Sequence, residues 1–161
     1  KRANFNHFVK NYNFGYLPFV SFDKDSCLKL YKSWAGQRRQ NNQDTVYGGM
    51  LEDSLSAIKI LLDNYQNLQC IGRVVKVDKK IKAFTFGFKL NADTFCILYE
   101  VTELSLKGLA QFIFYKLSGE LKDYKYINIM DDSGLENLKK VKLSYQPDRL
   151  VPAYIAKRKN G

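Results

Sequence analysis

Two adjacent carboxylates, Asp131 and Asp132, follow the apolar run Tyr126 to Met130 and precede Ser133, Gly134 and a lysine-rich segment that extends to Pro147. The spacing predicts a buried strand that delivers both acids at its carboxyl end. Ser133 and Gly134 supply an N-cap and turn, and Leu135, Leu138 and Val141 then recur at helical spacing. Ligands of open α/β sheets collect beyond the carboxyl ends of strands, which makes this junction a candidate site. Asp132 has two readings there: it orients an ammonium or hydroxyl of a bound molecule, or it caps the helix and pairs with Lys139 or Lys142. Glu100, near the end of the apolar run Thr94 to Val101, is the other well-placed carboxylate and the first candidate to accept a proton, directly or through water. Lys107, Lys139 and Lys142 fit phosphate contacts and equally fit exposed helix charges.

The elements that must position these groups alternate along the chain. Asn11 to Phe22 reads as a short extended lead-in. Asp25 or Ser26 then caps a helix whose apolar face is Cys27, Leu30, Tyr31 and Trp34. Leu51, Leu55, Ile58, Leu62 and Tyr65 step by three or four residues and place a second helix on one buried stripe. Three β segments follow, Cys70 to Val77, Ile81 to Leu90 and Thr94 to Val101. The short loops between them, around Lys79 and around Ala92, imply an antiparallel meander. A helix from Lys107 to about Leu121 carries Leu109, Phe112, Ile113 and Leu117, and Lys125 to Met130 returns beside the third strand by a crossover. A short helix after Gly134 and a final strand near Leu150 to Ala156 complete the order. The fold class is α/β: a mixed, mainly antiparallel sheet flanked by helices.

Composition narrows the function classes. At 161 residues the chain suits a single domain, large enough to bury roughly 70% of the surface that its unfolded form exposes. Its net charge of +10 favours polyanionic partners such as nucleic acid, phosphate cofactors or anionic lipid, against the plainer reading of a solvated lysine-rich surface. Cys27, Cys70 and Cys96 lack paired spacing and fall in apolar patterns, as reduced core residues of a cytoplasmic protein do. With one histidine, His7, no metal site is expected. No apolar stretch approaches the roughly 20 residues that span a bilayer, so no transmembrane segment is expected in this chain. The sequence does not open on methionine, which suggests a processed product or an excised part of something longer.

The order of elements, with a strand ending at Glu100 and a helix starting near Gly108, resembles the GNAT acyltransferase fold. In that family backbone N–H groups under a Q/R-x-x-G-x-G/A pattern cradle a cofactor pyrophosphate. Here the chain reads Ser105-Leu106-Lys107-Gly108-Leu109-Ala110, with Gly108 and Ala110 fitting and Ser105 departing. Asn128-x-x-x-Asp132-x-Gly134, followed by Leu138, Lys142, Ser144, Tyr145 and Pro147, resembles more specifically the C-terminal catalytic domain of lysyl-phosphatidylglycerol synthases (phosphatidylglycerol lysyltransferases) and their small soluble relatives. Phe84-x-x-Gly87, Phe95, Glu100, Gly108 and Gln111 fall in the same order, and Arg2-x-Asn4-x-x-x-Phe8 suits the start of the second of two tandem GNAT-like units. Val101, Phe114 and Lys139 depart from residues common in the family, and lysine cannot reproduce a bidentate guanidinium contact.

The resemblance implies one GNAT-like domain over residues 1–161, the C-terminal half of a tandem protein, that transfers an acyl or aminoacyl group. No tightly bound cofactor is implied. The donor substrate is aminoacyl-tRNA or acyl-CoA, and the expected partners are tRNA, an anionic lipid or amine acceptor, and a preceding GNAT-like domain. The catalytic candidates become Glu100, Asp132 and Tyr145, the last protonating a departing oxygen or sulfur or, alternatively, packing. Lys107, Gly108, Leu109, Ala110 and Gln111 are the donor-binding candidates, and Asn128, Lys139 and Lys142 the substrate contacts. An alkylamine acceptor of pKa ~10.4 is neutral in less than roughly one part in a thousand at neutral pH, which costs about 4 to 5 kcal/mol, so a nearby base is useful. Two alternatives stay open: acetyl-CoA-dependent N-acetylation, and a catalytically silent module that binds a phosphate-bearing ligand.

Overall fold

The computed structural model describes residues 1–42, 44–152 and 154. The chain divides into two compact units, Lys1–Asn128 and Ile129–Gly161. In the first, α1 (Arg2–Asn11) leads to β1 (Phe14–Pro18), then the helix pair α2 (Lys24–Asn41) and α3 (Thr45–Asn64). After these come β2 (Cys70–Val77), β3 (Lys80–Lys89), β4 (Thr94–Thr102), α4 (Leu109–Glu120) and β5 (Tyr126–Asn128). The five strands lie in sequence order in one sheet. Strands β1 to β4 pair antiparallel, and β5 runs parallel to β4. This is the expected mixed, mainly antiparallel sheet with helices on both faces.

Turn chemistry sets the meander. Val77 pairs with Lys80, so only Asp78 and Lys79 connect β2 to β3, and both take left-handed conformations (φ 49° and 64°) that match the twist of a tight hairpin. Because helices cover both faces, β3 reads as an almost unbroken apolar run. Val74, Phe84, Phe86 and Val101 pack under Leu30, Tyr31, Ile58 and Leu62 of α2 and α3. Val75, Val77 and Ala83 pack under Phe8 of α1 and Leu109, Phe112 and Ile113 of α4.

Helix α1 was not expected. Its Phe5, Phe8 and Tyr12 have the spacing that could have announced it, but polar residues separate them and Lys1 offers no capping side chain. Tertiary contact holds it: the Phe112 ring lies 5.7 Å from Phe5 and 4.9 Å from Phe8. Helix α2 begins at Lys24, before the expected caps Asp25 and Ser26. Asp23, just before it, is buried and sets its carboxylate 2.9 Å from the Lys76 ammonium instead of capping. By contrast, Asp44 caps α3 through Oδ1, which accepts from Val46 N at 2.7 Å and Tyr47 N at 3.2 Å.

One charged cluster ties α4 to the sheet. Arg73 on β2 donates through Nε and Nη2 to Glu120 Oε2 at 2.9 and 2.6 Å. Burial pushes the Glu120 carboxyl up, but Arg73, with Tyr16 and Lys116, outweighs it and holds the group below its ordinary value. Burial and then Glu120 push the Tyr16 hydroxyl well up. A carboxyl depressed in the folded state stabilises above its unfolded pKa, and that contribution disappears as pH falls through the folded value. Glu120→Gln should therefore melt earlier than the parent at neutral pH, and the gap should close on acidification below pH ~4. Thermal melts across that range check this, and a gap that persists in acid would assign Glu120 a role other than its charge.

In the second unit α5 (Glu136–Leu143) follows a loop. The strand expected to reach Met130 ends at Asn128, and its residues are partly exposed rather than buried; Met130 already has φ 62°. The strand expected near 150–156 falls partly outside the described residues, and 150–152 carry no regular structure.

Candidate active site

Strand β4 outruns its neighbour. Thr94, Phe95 and Cys96 pair with Tyr126, Ile127 and Asn128, after which β5 stops while β4 continues along β3 to Thr102. The parallel pairing with β5 therefore covers only the first three residues of β4. The expected adjacency of these two strands is thus observed, over the three residues of β5.

A bulge sits on β4 beyond that pairing. Phe86 faces Tyr99 and Gly87 faces Ile97, which leaves Leu98 as the extra residue of β4. Gly87 is required here, because a Cβ would lie 2.5 Å from the Cys96 carbonyl oxygen and 2.4 Å from the Phe95 ring. Leu98, Tyr99 and Val101 pack with the α2 and α3 core. Alternation then directs Glu100, opposite Thr85 in the register, to the other face, where it is partly exposed.

Gly108 opens α4 with φ +91°. A Cβ there would sit 1.9 Å from the Asn4 carbonyl oxygen, so the small residue admits the backbone of α1. Helix α4 starts at Leu109 rather than Lys107 because this left-handed residue is its N-cap. Leu109 is fully buried and its N–H donates to Leu106 O at 3.2 Å, while Lys107 is exposed. Ala110 and Gln111, partly buried, supply the first-turn N–H groups that a helix leaves without internal partners.

In the second unit the two aspartates fold their own loop. Asp131 Oδ1 accepts from Ser133 N at 2.9 Å, and Asp132 Oδ1 accepts from Gly134 N at 3.0 Å. Asp132 therefore closes a turn two residues on instead of capping the helix, and Ser133 is no cap either. The N-cap of α5 is Leu135, with no side-chain cap bond. Lys142 donates to the carbonyl oxygens of Ile129, at 2.5 Å, and Asp131, which ties α5 to the loop. Lys139 lies 3.7 Å from Glu136 in an exposed pair one turn apart, an arrangement worth little. Tyr145 follows α5 and its N–H donates to Lys142 O at 3.0 Å. Glu100, Lys107 to Gln111 and Asn128 thus belong to the first unit, and Asp132, Lys139, Lys142 and Tyr145 to the second.

Burial disfavours the thiolate form at two of the cysteines. Cys27 is buried, and burial followed by Asp23 pushes it up to about 12 against the pull of Lys76; burial also raises Cys70. His7 is partly buried and meets Asn11. No helix among the described residues is long and apolar enough to cross a membrane.

Comparison with known proteins places this geometry. The sequence model of a family described as phosphatidylglycerol lysyltransferase, C-terminal, matches residues 1–157. A conserved protein of unknown function from Bacteroides thetaiotaomicron VPI-5482 has a similar structure at 32% identity and TM-score 0.82, over 92% of this chain and 49% of that one. The chain thus spans about half the length of that relative. A possible acetyltransferase from Clostridium difficile 630 aligns at 13% identity and TM-score 0.64, over 92% of this chain and 99% of that one. The PaiA N-acetyltransferase from Thermoplasma acidophilum, in complex with coenzyme A, aligns at 12% identity and TM-score 0.58, over 83% and 87%. The last two likenesses carry the GNAT fold. None of the curated proteins compared matches the chain.

Proposed function

From the premise that the chain belongs to the phosphatidylglycerol lysyltransferase C-terminal family, we propose that it transfers an aminoacyl group from aminoacyl-tRNA to an amine or lipid acceptor. The coarser statement, an acyl- or aminoacyl-transferase-like domain, follows from family and fold together. The observation that carries the proposal is the place of Glu100 on β4, beyond the three residues that pair with β5 and on the face opposite Tyr99 and Val101, partly exposed to a reacting group. The first-turn amides of Ala110 and Gln111, with the exposed Lys107, are suited to phosphate oxygens at a helix amino terminus. Gly108 itself makes room for α1 rather than for a ligand.

In this reading Glu100 takes the proton from the attacking nucleophile as the tetrahedral intermediate forms. Asn128 is the first unit's substrate contact; within the second unit Asp132 orients an acceptor group, Tyr145 returns a proton to the departing oxygen and Lys139 holds phosphate, while Lys142 supports the loop that carries Asp132. The net charge of +10 favours a long polyanion, and three cysteines outside any disulfide suit the reducing cytoplasm where charged tRNA resides. A preceding GNAT-like domain is part of the proposal, since the Bacteroides relative is about twice as long. The competing reading, acetyl-CoA-dependent N-acetylation, draws support from the coenzyme A-bound neighbour of the same fold.

Titration with aminoacyl-tRNA and with coenzyme A at several ionic strengths separates the two. The tRNA is expected to bind with an affinity that falls steeply as salt rises, whereas coenzyme A, with fewer phosphates, shows a shallower slope. Tight coenzyme A binding without measurable tRNA binding would replace the aminoacyl donor by acetyl-CoA. Binding of neither would leave the phosphate-ligand module.

A further inference from the structure

Arg38 and Arg39 are adjacent on α2 but differ in what they meet. Arg39 Nη2 donates to Glu52 Oε1 at 2.8 Å and to Gly48 O at 3.2 Å, so its charge is matched by α3. Arg38 is partly buried and has no ion pair among the described residues. Its guanidinium carbon lies 5.3 Å from the centre of the Trp34 ring, one turn back on the same helix, and its Nε is shielded from solvent with no hydrogen-bond partner among the described residues.

The ring is a fixed platform. Trp34 packs against the α2–α3 core, with the Tyr31 ring 5.6 Å away, and Tyr31 is anchored by its hydroxyl donating to Leu51 O at 2.9 Å. Tyr99 of β4, the neighbour of Glu100 in sequence, packs against the same core. Over this ring the guanidinium has given up water at Nε and some conformational freedom, with no carboxylate paired to it among the described residues. That is the condition of a receptor prepared in advance for one, because its planar fork of N–H donors fits two oxygens at once.

We propose that Arg38, supported by Trp34, is an anion-recognition site that takes a phosphate or carboxylate group of a small-molecule ligand. The inference stands on unit-one geometry and does not depend on which donor the chain uses. Lysine could occupy the position over the ring but would offer a point charge in place of the fork.

Trp34 is the single tryptophan of the chain, so its fluorescence reports occupancy directly. Inorganic phosphate and acetate are titrated separately into the full chain, with ionic strength held constant by chloride. One of them is expected to give a saturable change, and which one does identifies the oxyanion. Arg38→Gln should abolish the response and Arg38→Lys should weaken it roughly tenfold or more, the scale of a lost charge-assisted hydrogen bond, while both melt with the parent. No saturable change with either anion in the parent, or the same response in Arg38→Lys as in the parent, would overturn the assignment. If Arg38→Gln fails to fold, the lysine variant decides alone.

Discussion

Gly108→Ala is expected to lower the stability of the protein by about 2 to 5 kcal/mol, the sum of a left-handed backbone penalty and an overpacked contact. The backbone there has φ +91°, which an L side chain rarely adopts, and the added methyl would lie 1.9 Å from the Asn4 carbonyl oxygen and 3.1 Å from Phe8 Cβ. A backbone carbonyl cannot rotate aside, so α1 must move as a unit and withdraw Phe5 and Phe8 from the Phe112 ring. Two controls separate the causes. Gly134 also has positive φ but open space around its Cβ position, so alanine there incurs the backbone penalty alone. Gly119, within α4 and equally open, should tolerate alanine or gain slightly. Denaturant unfolding of the three variants checks the ranking. If Gly108→Ala unfolds with the parent yet loses coenzyme A or tRNA binding, the glycine serves a ligand and not α1.

Glu100→Gln should cost roughly 100-fold in turnover, the usual scale for a general base, with little change in melting temperature. The side chain is partly exposed on a strand whose pairing with β3 and whose core-packed neighbours Tyr99 and Val101 are untouched by an isosteric amide. The amide holds the same space but cannot accept the proton that an amine must surrender on attack. Donor binding should therefore survive while transfer fails, a division between KM and kcat that a folding defect would not give. Steady-state transfer, once the donor titrations have fixed the substrate, measures this. Parent-like turnover in the variant would remove Glu100 from the mechanism and shift the search to Asp132.

Much of this arrangement was legible from local chemistry. The Asp78–Lys79 turn and the loop around Ala92 announce an antiparallel meander because turn residues and strand period are properties of a few consecutive positions. The apolar stripes of α2, α3 and α4 are periodic for the same reason, and the strand-helix-strand order places β5 beside β4 by the handed crossover. The family was legible too, from spacings such as Asn128 to Gly134 that extend across the whole chain.

Tertiary structure decided what each group meets. Helix α1 exists because Phe112, far along the chain, offers a surface to Phe5 and Phe8; its own sequence has too little helical signal to hold it. The same contact assigns Gly108 to Asn4, a partner that a Gly-x-Ala pattern cannot name. The sequence placed Asp132 beside a helix start, but the fold gave its carboxylate to Gly134 N and gave Lys142 to two loop carbonyls. Arg38 and Arg39 are indistinguishable as letters, and only the packing of α2 beside α3 matches one with Glu52 and leaves the other over Trp34. Propensity and period act over a turn or a strand, whereas hydrogen-bond and charge partners are fixed by contacts between residues distant in sequence, and those come into being only when the layers pack.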